Sequence, residues 1–556
     1  MRAGAGATAA AALSSYAPLL NRAAALGMRA PDTLPDPTRP AGEPTAALPF
    51  DHIVIVMQEN HSFDNYLGML PMRGQPKADG FAFDAAGKPT DANPVKGGYI
   101  TAQRSTTLCQ PGGVGQSWRS THLQVDGGKM DGFAGIGQAS MLYWDQQDLP
   151  FYYSLATTFC VGDRWFASAP CQTYPNRRFL LAGTAFGLIS TDTSSLTQNP
   201  PNGTIVDRLD AHGVTWKDYF TDLPATGVIE SIPQNHPANL APATQFQVDC
   251  AAGNLPAVSF VDSDIGAAGV AGDVVAPFGK PVSAQGQSEE NPQDISLGEN
   301  FVSGVVNAVL ASPLWPRVLL VWVYDEHGGY YDHVPPPAAI PPDAIKPRLG
   351  PNDPPGGYDV YGVRVPSVVV SGHARPHAVT SVVHDHTSIL ATIQAKWNLP
   401  AMTYRDANAT TLADFLDPSK VTFPQPPKVA APSDTAASEQ NCPTEDLKFT
   451  VHPGTAPTRA STTDAGGLVV RFYGRRRSAH GALAAIYTRA GTLDGIVVEL
   501  RKGKRLVAEA AVAHVGTGRH TVALHARGGG RLPAGSYTLV VRQGGATVVR
   551  RRVRLG

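Results

Sequence analysis

Short apolar runs rich in β-branched residues recur along the chain, and each ends abruptly in polar residues. His52–Met57 is the first, and Ala257–Val261, Val318–Tyr324 and Val365–Ser371 follow. Runs of this length without alternation read as strands buried on both faces. Between them, Ile295–Leu310 and His384–Trp397 repeat apolar positions at helical spacing; the first stops before Ser312-Pro313, as expected of a helix approaching a proline. Strands alternating with helices predict an α/β domain with a mostly parallel sheet flanked by helices. From residue 464 the pattern changes. Gly467–Tyr473, Gly495–Arg501, Arg505–His514, His520–His525, Ser536–Arg542 and Thr547–Val553 are short strand candidates punctuated by Gly, Asp and Pro. They predict a small all-β, sandwich-like domain. Residues 29–48 and 424–463 are rich in Pro, Ala and Thr and read as linkers. The expected organisation is a tail over 1–47, an α/β domain over 48–423, a linker over 424–463 and a β domain over 464–556. No internal repeat is visible.

Composition changes this picture in three ways. The 556 residues carry a net charge of −1, so the whole molecule offers no electrostatic case for nucleic acid. That balance hides an asymmetry: residues 466–556 hold 17 Lys/Arg against 3 Asp/Glu, net +14, and the remainder is net −15. An acidic body therefore carries a basic module, which suits an anionic membrane or cell-wall surface or, more plainly, a solvated sheet. The five cysteines, Cys109, Cys160, Cys171, Cys250 and Cys442, form no CxxC pair, which removes zinc-finger and thioredoxin readings. Their odd number leaves at least one unpaired. No apolar run reaches the length of a membrane span. The Ala-rich, acid-free residues 1–28, with Arg2 and Arg22, read as the remnant of an export signal or as a plain tail, so the expected location is secreted or surface-associated.

Chemistry gathers at strand ends. His52–Met57 runs into Gln58-Glu59-Asn60-His61-Ser62, and Val318–Tyr324 runs into Asp325-Glu326-His327-Gly328-Gly329. In open parallel sheets the carboxyl edge is where ligands bind. Carboxylates and an amide oxygen placed there suit one divalent cation. Thr173, followed by Pro175 and the helical run Arg178–Ala182, stands at a helix N-terminus, where free N–H groups favour phosphate. Beside a cation that lowers its hydroxyl pKa, Thr173 becomes a candidate nucleophile.

Four motifs in this order carry a resemblance: Glu59-Asn60-His61-Ser62-Phe63-Asp64, Gly127-Gly128-Lys129-Met130-Asp131-Gly132-Phe133, Thr173-Tyr174-Pro175-Asn176-Arg177 and the run from Tyr324-Asp325-Glu326-His327-Gly328-Gly329 to Pro337. Over roughly residues 48–420 the chain resembles the bacterial phospholipase C and acid phosphatase group, a branch of the alkaline-phosphatase-like superfamily. The resemblance implies that Glu59, Asn60, Thr173, Asp325 and Glu326 hold a divalent metal, whose identity (calcium, zinc, magnesium or manganese) stays open. It implies Thr173 as nucleophile, Asn60 as a second phosphate contact and His122 as an active-site histidine able to protonate a leaving group. Members resembling acid phosphatases generally carry Ser at the nucleophile position and phospholipase-like members Thr. One departure stands out. Relatives commonly show Glu-His-Pro before the Asp-Glu pair, and here Glu290-Asn291-Pro292 replaces it. An amide cannot shuttle a proton near neutral pH. His236 is a candidate substitute; His327 and His386 are candidates for supporting positions, and His333 reads as structural. The expected activity is metal-dependent cleavage of phosphatidylcholine-type lipids to diacylglycerol and a phosphorylated head group through a phosphothreonine intermediate. Hydrolysis of phosphomonoesters and a catalytically impaired surface-binding protein are the alternatives.

Overall fold

In the computed structural model, residues 28–110, 114–264, 286–434, 448–457, 469–478, 481–487, 493–515, 520–526, 532–543 and 546–555 are described. The export-signal reading of residues 1–28 falls almost wholly outside them. The chain divides into two compact units, one of which comprises Met28–Val334 and Ile340–Pro457.

That unit is built on one eight-stranded sheet. Its strands are β1 (His52–Gln58), β2 (Cys160–Gly162), β3 (Trp216–Phe220), β4 (Leu240–Pro242), β5 (Val258–Asp262), β6 (Val318–Tyr324), β7 (Ser367–Ser371) and β8 (Ala378–Thr380). They lie in the order β8-β2-β7-β6-β1-β5-β3-β4. All run the same way except β7, which is antiparallel to both of its neighbours. The mostly parallel α/β fold expected from the apolar runs is therefore present. β1 and β6 lie at its centre, and Ile53–Met57 and Val318–Tyr324 are wholly buried, which is why their sequences show no polar alternation. β7 begins at Ser367 rather than Val365 because Pro366 has no N–H to give to a ladder.

The helices that matter to the site are α1 (Phe63–Leu67), α2 (Trp118–Val125), α3 (Thr173–Ala182), α4 (Ile295–Ala311) and α5 (His386–Trp397). Ser62 caps α1 and Ser117 caps α2, each by accepting a backbone N–H from three residues on. Asp385 and Ser388 form a capping box at the start of α5. The stretch 29–48, read as a linker, lacks helix and strand but is tied down. Asn398 donates to the carbonyls of Asp36, Arg39 and Pro40, and Arg29 N–H donates to Asn408. Within the second stretch read as a linker, His452 and Tyr99 exchange backbone hydrogen bonds of 2.8 and 2.9 Å.

The second unit holds seven antiparallel strands: β9 (Val469–Ser478), β10 (Gly481–Tyr487), β11 (Leu493–Lys502), β12 (Arg505–Val515), β13 (His520–Ala526), β14 (Gly535–Gln543) and β15 (Ala546–Leu555). They form one continuous sheet, ordered β9-β10-β13-β12-β11-β14-β15, over a core that includes Ile496, Val498, Leu500, Leu539 and Val541. The all-β expectation holds. The strand that sequence reading missed, β10, is Gly-Ala-Leu-Ala-Ala-Ile-Tyr, and its alanines carry little strand preference of their own.

Candidate functional site

β1 and β6 are parallel neighbours, with Gln58 level with Tyr324. Glu59 and Asp325 therefore leave the sheet side by side. Both chains turn at once. Asn60 takes φ +71°, in the left-handed region. The two loops touch so closely that a Cβ on Gly328 would lie 2.0 Å from the Asn60 carbonyl oxygen; only glycine fits there. Asn60 N–H donates to Asp325 Oδ1 (3.2 Å), Glu326 N–H donates to the same oxygen (2.6 Å), and Gly328 N–H donates to Glu326 Oε2 (2.9 Å).

Thr173 is the first residue of α3, and its hydroxyl lies 3.4 Å from Asn60 Oδ1. The preceding loop is fixed by Asn176, whose side chain accepts from Ala169 N–H and donates to the Cys171 carbonyl. Arg177 follows one turn below Thr173. Its guanidinium donates to Asp325 Oδ2 (3.3 Å), Glu59 Oε1 (3.1 Å) and the Met57 carbonyl (3.1 Å). Through these links the fold brings together Glu59, Asn60, Thr173, Asp325 and Glu326.

Two further participants were not singled out from sequence. Arg177 is one, although it stands in the Thr173 motif at helical spacing. Glu290 is the other: its carboxyl contacts Asn60 Nδ2 and lies against Glu59. Four acidic side chains, Glu59, Glu290, Asp325 and Glu326, are thus withdrawn from water within one network. Burial and mutual repulsion hold the Glu290 and Glu326 carboxyls well above their ordinary range. Asp325, although eased by Arg177, is pushed up to about 7, chiefly by burial. Glu326 Oε1 is buried with no hydrogen-bond partner. Crowded buried carboxylates, an amide oxygen and an orphaned acceptor form a donor set that fits a hard divalent cation. Glu59, Asp325 and Glu326 do not, however, bring their oxygens together within 4.8 Å, the spacing found for Asp64, Asp332 and His333.

That second trio does not fit a metal, because a cation already fills it. Arg364 donates to Asp332 (2.9 Å) and Asp64 (3.1 Å), and His333 bridges Asp64 (2.6 Å) and Asp79 (3.1 Å), which also pairs with Arg164. The cluster ties α1 to the loop that follows Asp325-Glu326, so it holds the two halves of the site together. Burial works against the His333 charge, but Asp64 and Asp79 outweigh it and raise the imidazole to about 8. The unfolded value is near 6.5. His333 therefore contributes stability that is complete below pH ~6.5 and is lost as pH rises through 8, a difference of about 2 kcal/mol. Melting temperatures of the native chain should fall more steeply between pH 6.5 and 8.5 than those of His333→Gln; parallel curves would contradict this account.

The other histidines separate cleanly. His386 donates from Nε2 to the Asp325 carbonyl (2.7 Å), while Trp165 Nε1 donates to its Nδ1 (3.4 Å). His327 meets Gln124 through Nε2 (2.9 Å) and Glu326 through Nδ1 (3.1 Å). Both are buried and held neutral, with burial lowering His386 to about 4 and His327 to about 3. They stand directly behind Asp325 and Glu326. His236 does not belong here. It pairs with Asp210 (3.0 Å) and packs on Trp216, the first residue of β3, at the amino edge of the sheet. The reason is topological: the loop carrying His236 leads into β4, which runs parallel to β3, so it crosses the edge opposite the site. His122 donates from Nδ1 to the Trp118 carbonyl (2.7 Å), which leaves Nε2, beside Gly356, as its free nitrogen. No described contact joins it to Thr173. Asn291 lies beside the Tyr330 hydroxyl, and its Nδ2 makes no hydrogen bond of good geometry. Its neighbour Glu289 accepts from the hydroxyls of Tyr66, Tyr152 and Tyr324 and anchors the loop that carries Glu290.

The Phosphoesterase family profile matches residues 50–400. Non-specific phospholipase C1 of Arabidopsis thaliana is 31% identical over 398 residues, covering 66% of this chain and 71% of that protein. Phospholipase C A of Mycobacterium tuberculosis is 29% identical over 434 residues, covering 67% and 79%. A solved protein of the alkaline phosphatase superfamily from Vibrio parahaemolyticus aligns with a TM-score of 0.29 and 9% identity, over 61% of this chain and 77% of that one.

Proposed function

The chain belongs to the Phosphoesterase family and is a phosphoric ester hydrolase, and on that premise we propose that it is a phospholipase C working through Thr173. The observation that carries this reading is the Thr173 hydroxyl 3.4 Å from Asn60 Oδ1, at the point where two parallel strands deliver Glu59 and Asp325. Glu59, Asn60, Thr173, Asp325 and Glu326 would hold one divalent cation. When bound, such an ion neutralises phosphate charge and lowers the pKa of a neighbouring hydroxyl.

The chain's own residues do the rest. Thr173 Oγ1 attacks phosphorus, the alcohol leaves, and water releases the phosphoryl group from the threonine. Little covalent assistance is needed in phosphoryl transfer, so placement and charge carry the rate. The Thr173 N–H at the start of α3 faces developing negative charge; the Tyr174 N–H donates to Thr191 Oγ1 (3.4 Å), and Pro175 offers none. His122, kept neutral by burial with its Nδ1–H on the Trp118 carbonyl, takes the Thr173 proton on Nε2 as the hydroxyl attacks and returns it to the leaving oxygen. His61, His327, His333 and His386 have both ring nitrogens engaged, whereas His122 keeps Nε2 free. Asn291 takes no part in proton transfer.

Cys109 is disulfide-bonded, which suits an exported protein, while Cys160, Cys171 and Cys250 are free. Among the described residues no helix is long and apolar enough to cross a membrane. The second unit displays Lys502, Lys504, Arg505, Arg552 and Arg554 at its surface, and it would hold the enzyme on anionic lipid. Vesicles of phosphatidylcholine with and without phosphatidylglycerol test both parts. Diacylglycerol release that stops with chelator is expected, faster on the anionic vesicles and equalised by salt. Release of inorganic phosphate from monoesters alone would favour the phosphatase reading. No turnover on any ester would leave a surface-binding protein.

A further inference from the structure

Arg177 is the strongest feature of the site that the proposed chemistry does not use. Its side chain is almost fully buried, as are those of Glu59 and Asp325, which it joins. Each carboxylate gives one oxygen to the guanidinium and has a further partner: Asp325 Oδ1 accepts from Asn60 and Glu326, and Glu59 also lies against Glu290. The third contact, to the Met57 carbonyl, pins the same guanidinium to the end of β1. Behind it lies Asp262, the last residue of β5, which lines the same small internal cavity as Arg177 and accepts from Ala225 N–H (2.7 Å). The guanidinium spreads these three bonds over Nε and Nη2 in fixed directions, a spacing that the single nitrogen of an ammonium cannot reproduce. Thr173 stands four residues earlier on the same helix, so it shares a face with Arg177.

We propose that Arg177 is a positioning residue: it sets the helix that bears Thr173 in register with the two loops that bear Glu59 and Asp325, and Asp262 holds it there from behind. The inference rests on the reading of Thr173 as nucleophile and of the two carboxylates as cation ligands. Arg177 touches neither substrate nor reacting atoms. Its effect passes through the geometry of residues that do, and a misplacement of about 1 Å at such a site costs on the order of 100-fold in rate.

The test uses the full chain with Arg177→Lys, Asp262→Asn and, as control, Asp325→Asn. For Arg177→Lys, kcat should fall about 10- to 100-fold, as when a group orienting a ligand is lost, with KM held within about twofold. The metal concentration for half-occupancy, read without turnover by competition with a fluorescent chelator, should rise about 10-fold or more. A folded Arg177→Lys with native kcat and native metal affinity overturns the proposal, and so does a change confined to KM. If Arg177→Lys does not fold, Asp262→Asn decides, since it touches no proposed ligand: a several-fold fall in kcat with a shifted metal midpoint supports the role, and native values for both overturn it. Full activity in Asp325→Asn would instead overturn the site reading on which this rests.

Discussion

Thr173→Val should lose at least about 10⁴-fold in kcat, the scale seen when a nucleophile is removed from an assembled site. It should keep its fold and its metal. Val is close to Thr in shape, and the position is the first turn of α3, where a β-branched residue is tolerated. The lost hydroxyl makes one described hydrogen bond, at 3.4 Å to Asn60. Little stability goes with it. Thr173→Ser keeps an oxygen at the same place and should retain measurable turnover. Circular dichroism, metal analysis and release of 4-nitrophenol from bis(4-nitrophenyl) phosphate check the three statements separately. A Val variant with more than a few per cent of native turnover would show that the nucleophile lies elsewhere.

Asp325→Asn should have the second largest effect, by a different route. Asp325 is buried between Arg177 and the N–H groups of Asn60 and Glu326. Asn keeps an oxygen for those two donors, so the loop should hold its shape. It removes one of the buried negative charges that call for a cation. Altering a residue that only orients a ligand costs about 10- to 100-fold in metal affinity, and losing a charged ligand should exceed the upper figure. Isothermal titration with the metal that restores native activity measures this directly. Activity lost at native metal should return in part at high metal concentration, which a mere folding defect would not show.

Much of this site was legible in the chain because strand ends are local features. An apolar run followed by Glu59-Asn60 or Asp325-Glu326 announces both the strand and what it delivers. The long buried strands leave no doubt about which edge they point to. Arg177 and Glu290 were harder to see because their meaning depends on what faces them. An arginine in a helix and a glutamate in a loop read alike whether they meet solvent or a buried carboxylate. The linkers misled for a related reason. Pro- and Thr-rich text such as 29–48 predicts irregular backbone, which it has, but says nothing of Asn398 holding that backbone in place. His236 shows the limit from the other side: the missing histidine makes it a candidate substitute, while β3 and β4 carry it to the wrong edge. In the β unit, alanine-rich β10 carries no strand signal of its own, because strand preference there comes from its neighbours in the sheet.

The measurement that bears most directly on the account is acid-quenched mass spectrometry of the enzyme turning over bis(4-nitrophenyl) phosphate. A 4-nitrophenylphosphoryl group on the peptide containing Thr173, absent in Thr173→Val and absent after chelation, is the expected result. An adduct on a histidine instead would contradict it.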